Sequence, residues 1–419
     1  MKSSLALTLL GAGAAHAFPA MSDAEASAML DSMTLSKRAI DPSKPIPVDG
    51  EHAYRRANFA AGEIRGPCPG LNALANHGYL PRSGVGSIAD FQAVTDVFGV
   101  APTLNQFLAV YGAVFDGDLL SWSIGGPPPA GLIGGLLGGT GLIGAPQGLS
   151  GSHNKYEGDA SPTRGDLYVE GNNFVSQPEN FQALYDIQKN AANPNYNLDV
   201  LGQHRNNRFE NSIATNPYFF NGPFSGLAVL PAAYSFIYRL MANHTGANPQ
   251  EGVLDKETLK TFFGYTGPDD ALVFNPGTER IPENWYRRPA NDYGVAAAVA
   301  DGLYFDQFNP SFLSVGGNTG KVNSFTGVDV GDLSGGIFNA QNLREGNNLW
   351  CFAMQFAAQA APDTLKPLFS TLGRPLALIR GATNNAIAAI GGCPQLQQIE
   401  DDQFNQFPGA ARLSAKGTY

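Results

Sequence analysis

The chain has 419 residues, a net charge of -10 and a pI near 5.1, and 43% of its residues are hydrophobic while only 15% are charged. This balance predicts a folded globular protein, in one large domain or two smaller ones, and 50 glycines with 29 prolines predict long loops. The acidic charge argues against a nucleic-acid partner and against an anionic membrane surface.

The N-terminus has the pattern of a secretory signal peptide. Lys2 is followed by an apolar run from Leu5 to Ala14, and the small-residue pattern that ends at Ala17 predicts cleavage after that residue. The dibasic pair Lys37-Arg38 is a second candidate processing site. No later segment has the roughly 20 apolar residues that a membrane span needs. We therefore expect a secreted, extracellular protein without a membrane anchor.

A cysteine between two prolines begins the most informative stretch, residues 65–81. Pro67 and Pro69 fix their own backbone angles and restrict the residues before them, so Cys68 has few conformations available. A helix that begins near Pro69 or Gly70 would turn free N–H groups and a positive dipole end toward the sulfur. This would favour the thiolate, which is the form that binds metals. On these residues alone, Cys68 is either a metal ligand or a structural or disulfide cysteine.

The remaining patterns predict a mostly α-helical fold with long irregular connections. Residues 124–150 are rich in glycine and proline and predict a surface loop. Strand-like alternation is sparse, with residues 321–325 as the best short example. Apolar residues at helical spacing predict helices over residues 88–98, 104–115, 181–190, 227–243, 256–263 and 350–359.

A second constellation lies at residues 156–166. Glu157 and Ser161 are four residues apart, so on a helical turn their oxygens would share one face with the Gly158 carbonyl nearby. An all-oxygen set of this kind suits a hard cation such as Mg²⁺. The alternative is a capped helix start with a solvated acidic face.

Both stretches closely resemble one protein family. The Pro-Cys-Pro run around Cys68 resembles the proximal loop of the fungal haem-thiolate peroxidases, the chloroperoxidase and unspecific (aromatic) peroxygenase family. Glu157-Gly158-Asp159-x-Ser161 followed by Thr163-Arg164-x-Asp166 is similar to the motif of its long members. The likeness runs from about residue 50 to residue 400, with further matches at 171–174, 212–217, 252–255 and 320–325.

The resemblance implies a chloroperoxidase-like helical fold with one haem-thiolate peroxidase domain over residues 50–400. It implies that Cys68 is the axial ligand of haem b iron, and that Glu157, the Gly158 carbonyl and Ser161 bind Mg²⁺ beside a haem propionate. Tyr156 would stand at the wall of the haem pocket. Residues 18–49 would form a pro-segment or extended arm, and residues 401–419 a C-terminal tail.

The resemblance also bears on the other cysteines. If Cys68 holds iron, Cys351 and Cys393 remain as a disulfide pair in an oxidising compartment, and long peroxygenases carry a disulfide near the C-terminus. Asn243-His244-Thr245 is a glycosylation sequon in a predicted loop. His77 is interpreted as a local packing group rather than a second haem ligand.

The sequence departs from the family at the distal acid–base pair that moves a proton between the peroxide oxygens. The positions of its arginine and glutamate hold Ser225 and Ala232, which would instead line the substrate pocket. Arg239 is too far along the chain to match. The candidate replacements near the predicted magnesium motif are His153, Lys155 and Glu157, although His153 is also interpretable as a solvated loop residue.

The leading prediction is a secreted haem-thiolate peroxidase or peroxygenase that uses hydrogen peroxide to oxidise an aromatic or apolar organic substrate. Two alternatives remain at this stage. One is a haem-thiolate protein with lost or diverted peroxide chemistry, because the distal pair is replaced. The other is a secreted binding protein that is stabilised by zinc or a disulfide and holds no haem.

Overall fold

The computed structural model describes residues 40–118, 120–128, 146–245, 249–365, 381–382, 384–386, 388, 393–394, 396 and 401–410. The predicted signal peptide, the Lys37-Arg38 site, most of the pro-segment, the centre of the glycine-rich loop and the end of the predicted tail lie outside these residues.

Helices dominate the described chain, as the sequence predicts. The predicted helix at 256–263 matches α8 at both ends, because the Asp255 side chain accepts a hydrogen bond from the Thr258 amide and Gly264 ends the helix with φ +71°. Four of the described helices have no counterpart among the predictions: the long α6 and α9 and the single-turn α4 and α10. The helices are α1 Pro69–Asn76, α2 Gln92–Phe98, α3 Pro102–Phe115, α4 Leu167–Glu170, α5 Pro178–Asp186, α6 Leu198–Thr215, α7 Leu230–Met241, α8 Lys256–Phe263, α9 Val295–Phe305, α10 Val330–Leu333 and α11 Asn348–Leu365.

The strands of the described chain are short and antiparallel. β1 (Val85–Ser87) pairs with β2 (Ser121–Ser123), which brings the chain before α2 beside the chain after α3. The prediction of a strand at 321–325 is wrong, because those residues form a turn around Asn323, whose φ is +56°. The remaining strands are β3 Phe220–Asn221, β4 Tyr265–Thr266, β5 Val273–Phe274, β6 Gly316–Gly317 and β7 Thr326–Gly327, paired as β3-β6-β7 and β4-β5.

Helix α7 lies at the centre of the fold and packs against α6 and α9. Its apolar residues, including Tyr234 and Ile237, are buried in the main core. Arg239 near its C-terminal end forms a two-pronged ion pair with Asp301 of α9, with Nη2 to Oδ1 at 2.8 Å and Nε to Oδ2 at 3.0 Å. Arg239 is therefore committed to holding α7 against α9.

The prediction of a Cys351–Cys393 disulfide is confirmed. The two Cα atoms are 5.5 Å apart, and the bond ties α11 to a segment 42 residues further along the chain. Cys68 is the free cysteine, as predicted. Among the described helices, none combines the length and the apolar character that crossing a membrane requires.

Candidate active site

The N-terminus of α1 faces a large apolar cavity. The cavity has a volume of about 240 Å³, and residues from α1, α2, α3, β2, α7, α8, α9 and α11 line it. Aromatic rings form much of its wall, so it suits a large, flat, apolar molecule. These rings are Phe91, Phe98, Phe107, Trp122, Tyr156, Phe224, Phe236, Phe263 and Trp350.

Cys68 lies on this wall, at the residue that precedes α1. Its backbone is extended (φ -89°, ψ 108°), and Pro69 takes the first helical position, where a missing N–H costs nothing. Burial raises the pKa of the Cys68 thiol, while the backbone N–H groups of Leu71 and Gly70 and the charge of Arg164 act in the opposite direction. The sequence-based expectation that the helix start favours thiolate is thus correct in direction, but burial outweighs it in the metal-free protein.

Two side chains hold the loop that carries Cys68. Asn72 donates from Nδ2 to the Gly66 carbonyl (2.9 Å) and accepts from the Gly66 amide at Oδ1 (3.0 Å). Arg164 donates from Nε to the Pro67 carbonyl (2.9 Å). These bonds hold the backbone of the two residues that precede Cys68.

The predicted cation ligands Glu157, Gly158 and Ser161 all lie on the cavity wall. The helical turn predicted for them is wrong. Ala160 adopts φ 58°, and its amide donates to the Asp166 side chain (2.9 Å) instead of to a helical carbonyl. The segment is therefore an irregular loop, and the three residues meet at the cavity through tertiary structure.

Glu157 is buried, and its two oxygens differ. Oε2 contacts His153 Nδ1 at 2.9 Å and accepts a hydrogen bond from Asn173 Nδ2. Oε1 has no hydrogen-bond partner. A buried carboxylate oxygen without a partner is costly unless a ligand completes it.

His153 lies behind Glu157 and is absent from the residues that line the cavity. It is 4% exposed, so its interpretation as a solvated loop histidine is wrong. Burial alone would lower the pKa of His153, but the nearby carboxylates of Asp159 and Glu157 raise it to about 9. Lys155, the neighbouring candidate, also does not line the cavity.

The distal side of the cavity is formed by a π-helix over Ser225–Val229 that leads directly into α7. Ala232 lines the cavity as predicted, whereas Ser225 is buried beside Gly158 and lies outside the lining. The wall from Phe224 to Ala233 contributes only apolar residues. Among the described lining residues, the ionisable ones are Cys68, Tyr156, Glu157 and Arg164.

Two other predicted residues have clear positions. Tyr156 lines the cavity, and its hydroxyl donates to the Leu108 carbonyl (2.9 Å). His77 lies at the end of α1 away from the cavity, where Nδ1 bonds to the His52 carbonyl (2.7 Å) and Nε2 accepts from the Ile281 amide (3.2 Å). These bonds agree with its interpretation as a packing group.

Sequence reasoning did not assign roles to Arg164, Asn72 or Glu279. Arg164 belongs to the family-like motif at residues 157–166, so the sequence could have identified it as a site residue. No motif in the sequence marks Glu279 as a site residue. Its Oε1 accepts a hydrogen bond from Asn72 Nδ2 (2.9 Å), but the two residues are 207 positions apart in the chain.

The residues present fit a haem group and a cation. A cysteine sulfur stands on the wall of an apolar, ring-lined cavity, which is the combination that a thiolate-bound haem needs. Glu157 Oε1 and Arg164 Nη2 are buried polar atoms on residues of the same wall, and neither has a protein partner. A cation and an acidic ligand group would satisfy them.

Comparisons with known proteins identify the family of the chain. A family model described as "Peroxidase, family 2" matches residues 52–290. The chain is 40% identical to "Aromatic peroxidase fscJ" of Fusarium equiseti over 88% of this chain and 86% of that protein. It is also 40% identical to "Dothistromin biosynthesis peroxidase dotB" of Dothistroma septosporum over 97% of both chains. It is 30% identical to "Aromatic peroxygenase" of Cyclocybe aegerita over 76% of this chain and 81% of that protein.

The mostly α fold is that of a chloroperoxidase-like peroxidase, as predicted. The chain belongs to peroxidase family 2, and it is a peroxide-using oxidoreductase. This membership implies a haem group. It excludes the alternative of a zinc- or disulfide-stabilised binding protein without haem.

Proposed function

We propose that the chain is a haem-thiolate peroxidase or peroxygenase that uses hydrogen peroxide to oxidise an aromatic or apolar organic molecule. The observation that carries the proposal is the position of Cys68 on the wall of a cavity lined by nine aromatic residues. Two relatives at 40% and 30% identity are named for aromatic peroxidase and aromatic peroxygenase activity, which supports an aromatic substrate.

In this proposal Cys68 would hold the iron of haem b through its sulfur, and the haem would supply the redox chemistry with peroxide. Asn72 and Arg164 hold the ligand loop, so the sulfur needs little reorganisation to bind iron. The apolar distal wall, including Ala232 and Phe224, excludes water and packs against the organic substrate. Tyr156 closes the cavity on the side of α3.

We also propose that Mg²⁺ binds at Glu157, the Gly158 carbonyl and the Ser161 hydroxyl. All three residues reach the cavity, and Glu157 Oε1 lacks a protein partner. Carboxylate, carbonyl and hydroxyl oxygens are the ligands that this cation prefers.

Glu157 is also the proposed replacement for the missing distal base. It is the only carboxylate among the described lining residues, and His153 reaches the cavity only through it. The two roles compete, because a cation at Oε1 would keep the carboxylate ionised and occupied. Metal content and the rate of reaction with peroxide distinguish them.

The test is stopped-flow absorbance of the haem-loaded chain mixed with hydrogen peroxide, in the wild type, Glu157→Gln and the exposed control Glu283→Gln. A proton-transfer role predicts that Glu157→Gln slows the peroxide-dependent change of the Soret band at least 100-fold, within the range that general acid–base groups contribute. A role in magnesium binding predicts loss of bound metal. If the wild-type Soret band does not respond to peroxide, the proposal fails, and the apolar distal wall then favours diverted chemistry.

We further propose that the protein is secreted, that its haem domain spans residues 50–400, and that Asn243 is glycosylated. Asn243 follows α7, and its side chain is only partly exposed. Its Oδ1 accepts a hydrogen bond from the Tyr286 amide (3.0 Å). A glycan would be attached to Nδ2, which donates a long hydrogen bond to the Asn284 carbonyl (3.4 Å), so the Oδ1 contact is compatible with modification. The mass of the secreted protein before and after glycosidase treatment, with Asn243→Gln as control, tests both secretion and modification.

A further inference from the structure

Two buried side chains of opposite charge lie behind the Cys68 loop. Glu279 and Arg164 are each 2% exposed, and they come from segments that are far apart in the sequence. Arg164 contacts the loop and carries an unpartnered Nη2 on the cavity wall, whereas Glu279 has been assigned no role so far. Buried charges are expensive, so a fold that keeps two of them next to a ligand loop calls for an explanation.

Glu279 is connected to the loop through one amide. Its Oε1 accepts from Asn72 Nδ2 (2.9 Å), and the same Asn72 side chain bonds to both the N–H and the carbonyl of Gly66. Gly66 is two residues before Cys68 and has no room for a side chain, because a Cβ there would lie 2.0 Å from the Ile124 carbonyl oxygen. Glu279 thus orients the clamp that sets the course of the ligand loop.

The second oxygen of Glu279 has no hydrogen-bond partner. Asn72 needs only one acceptor, so positioning alone would be served by a neutral amide. Burial raises the pKa of Glu279, while the cations Arg164 and Arg65 and the hydrogen bond from Asn72 favour its charged form. What a glutamate adds over a glutamine at this position is its negative charge.

Both charges act on the sulfur. Burial is the main cause that raises the pKa of Cys68; of the two charges, Arg164 acts to lower this pKa and Glu279 acts to raise it. In a water-poor interior, charge–charge interactions are stronger than in water. Charges and hydrogen bonds outside the ligand set are a known means of tuning a metal centre.

We propose that Glu279 is a positioning residue that holds the thiolate loop through Asn72 and lowers the reduction potential of the haem iron with its buried charge. Arg164 acts with the opposite sign. A negative charge near the iron favours the ferric over the ferrous state, because the ferric centre carries one more positive charge. This inference rests on the proposed ligation of haem by Cys68.

The test compares the haem-loaded wild type with Glu279→Gln, Glu279→Asp and the exposed control Glu283→Gln. The midpoint potential of the ferric/ferrous couple is measured by spectroelectrochemical titration, and the absorbance of the ferrous carbon monoxide complex reports whether the thiolate is retained. Glu279→Gln keeps an acceptor for Asn72 and removes only the charge. We expect it to favour the ferrous state about tenfold, which is a rise of ~59 mV for one electron.

Glu279→Asp keeps the charge and is expected to stay close to the wild type, as is Glu283→Gln. Arg164→Gln is expected to shift the potential downward, and it carries the test if Glu279→Gln does not fold. An unchanged potential in Glu279→Gln with an intact thiolate spectrum would overturn the inference and leave the proposed function standing. Equal shifts in Glu279→Gln and Glu279→Asp would also overturn it, since packing rather than charge would then be responsible. A wild type without a thiolate-type spectrum would overturn both.

Discussion

Asn72 is the side chain whose loss should most disturb the ligand loop. It makes three buried hydrogen bonds: from the Gly66 amide (3.0 Å), to the Gly66 carbonyl (2.9 Å) and to Glu279 Oε1 (2.9 Å). Asn72→Ala removes all three and leaves their partners buried. We expect the loop before Cys68 to lose its fixed course and the variant to bind haem more weakly.

The size of the effect on stability follows from these bonds. A buried group left without its partner costs about 1–2 kcal/mol in the lower part of the observed range, so three of them cost ~3–6 kcal/mol. Alanine is the better helix former by about 0.5 kcal/mol within α1, which offsets a small part. The net loss of ~3–5 kcal/mol is large beside the roughly 5–15 kcal/mol that stabilises a typical protein.

The assay is urea unfolding followed by tryptophan fluorescence, together with the ratio of Soret to protein absorbance after purification. Asn211→Ala is the matched control, because Asn211 lies on the exposed face of α6. The control should match the wild type in both measurements. If Asn72→Ala unfolds within about 1 kcal/mol of the wild type and retains haem equally well, the proposed clamp does not exist.

Three further predictions concern other parts of the fold. Cys351→Ala opens a loop of 42 residues and should lower the unfolding free energy by ~4 kcal/mol, with no further effect of reductant on the variant. Gly66→Ala should sharply reduce the haem content of the purified protein, because the Ile124 carbonyl oxygen and the new Cβ would be 2.0 Å apart. Burial raises the pKa of Asp116 to about 8. Between about pH 4 and 8 the Asp116 carboxyl is therefore protonated in the folded state and ionised in the unfolded state, and the folded state loses stability as the pH rises through this window. Asp116→Asn should therefore be more stable than the wild type at pH 8, by at most ~5 kcal/mol, and similar to it at pH 4; equal stability at pH 8 would contradict this reasoning.

The sequence predicts the parts of the fold that have local signals. Pro69 at the first position of α1 and the Asp255 cap with Gly264 at the end of α8 are features of neighbouring residues. Helix α1 begins where expected, and α8 begins and ends where expected. Helix α6 has a local cap at Asn197, whose side chain accepts from the Val200 amide, but it has no apolar pattern to mark it as a helix. Its polar residues His204, Arg205 and Arg208 are buried, so its sequence shows no apolar stripe and its helical spacing is hidden.

In the candidate site, too, the residues of contiguous motifs were predictable from the sequence and those brought in by tertiary folding were not. The motifs around Cys68 and Glu157 identify the residues that reach the cavity, because each motif is contiguous in the sequence. The conformation at Glu157–Ser161 was mispredicted, since the side chain of Asp166 captures the Ala160 amide and a helix cannot form. Glu279 could not be predicted at all, because tertiary folding alone brings it to Asn72.

The most direct test of the account is the absorbance spectrum of the reduced, carbon monoxide-bound protein, with Cys68→Ser beside the wild type. Ligation by Cys68 predicts the red-shifted Soret band that is typical of thiolate-bound haem in the wild type, and its loss in Cys68→Ser. A wild-type protein without this band, or a Cys68→Ser protein that keeps it, would contradict the assignment of Cys68 as the haem ligand.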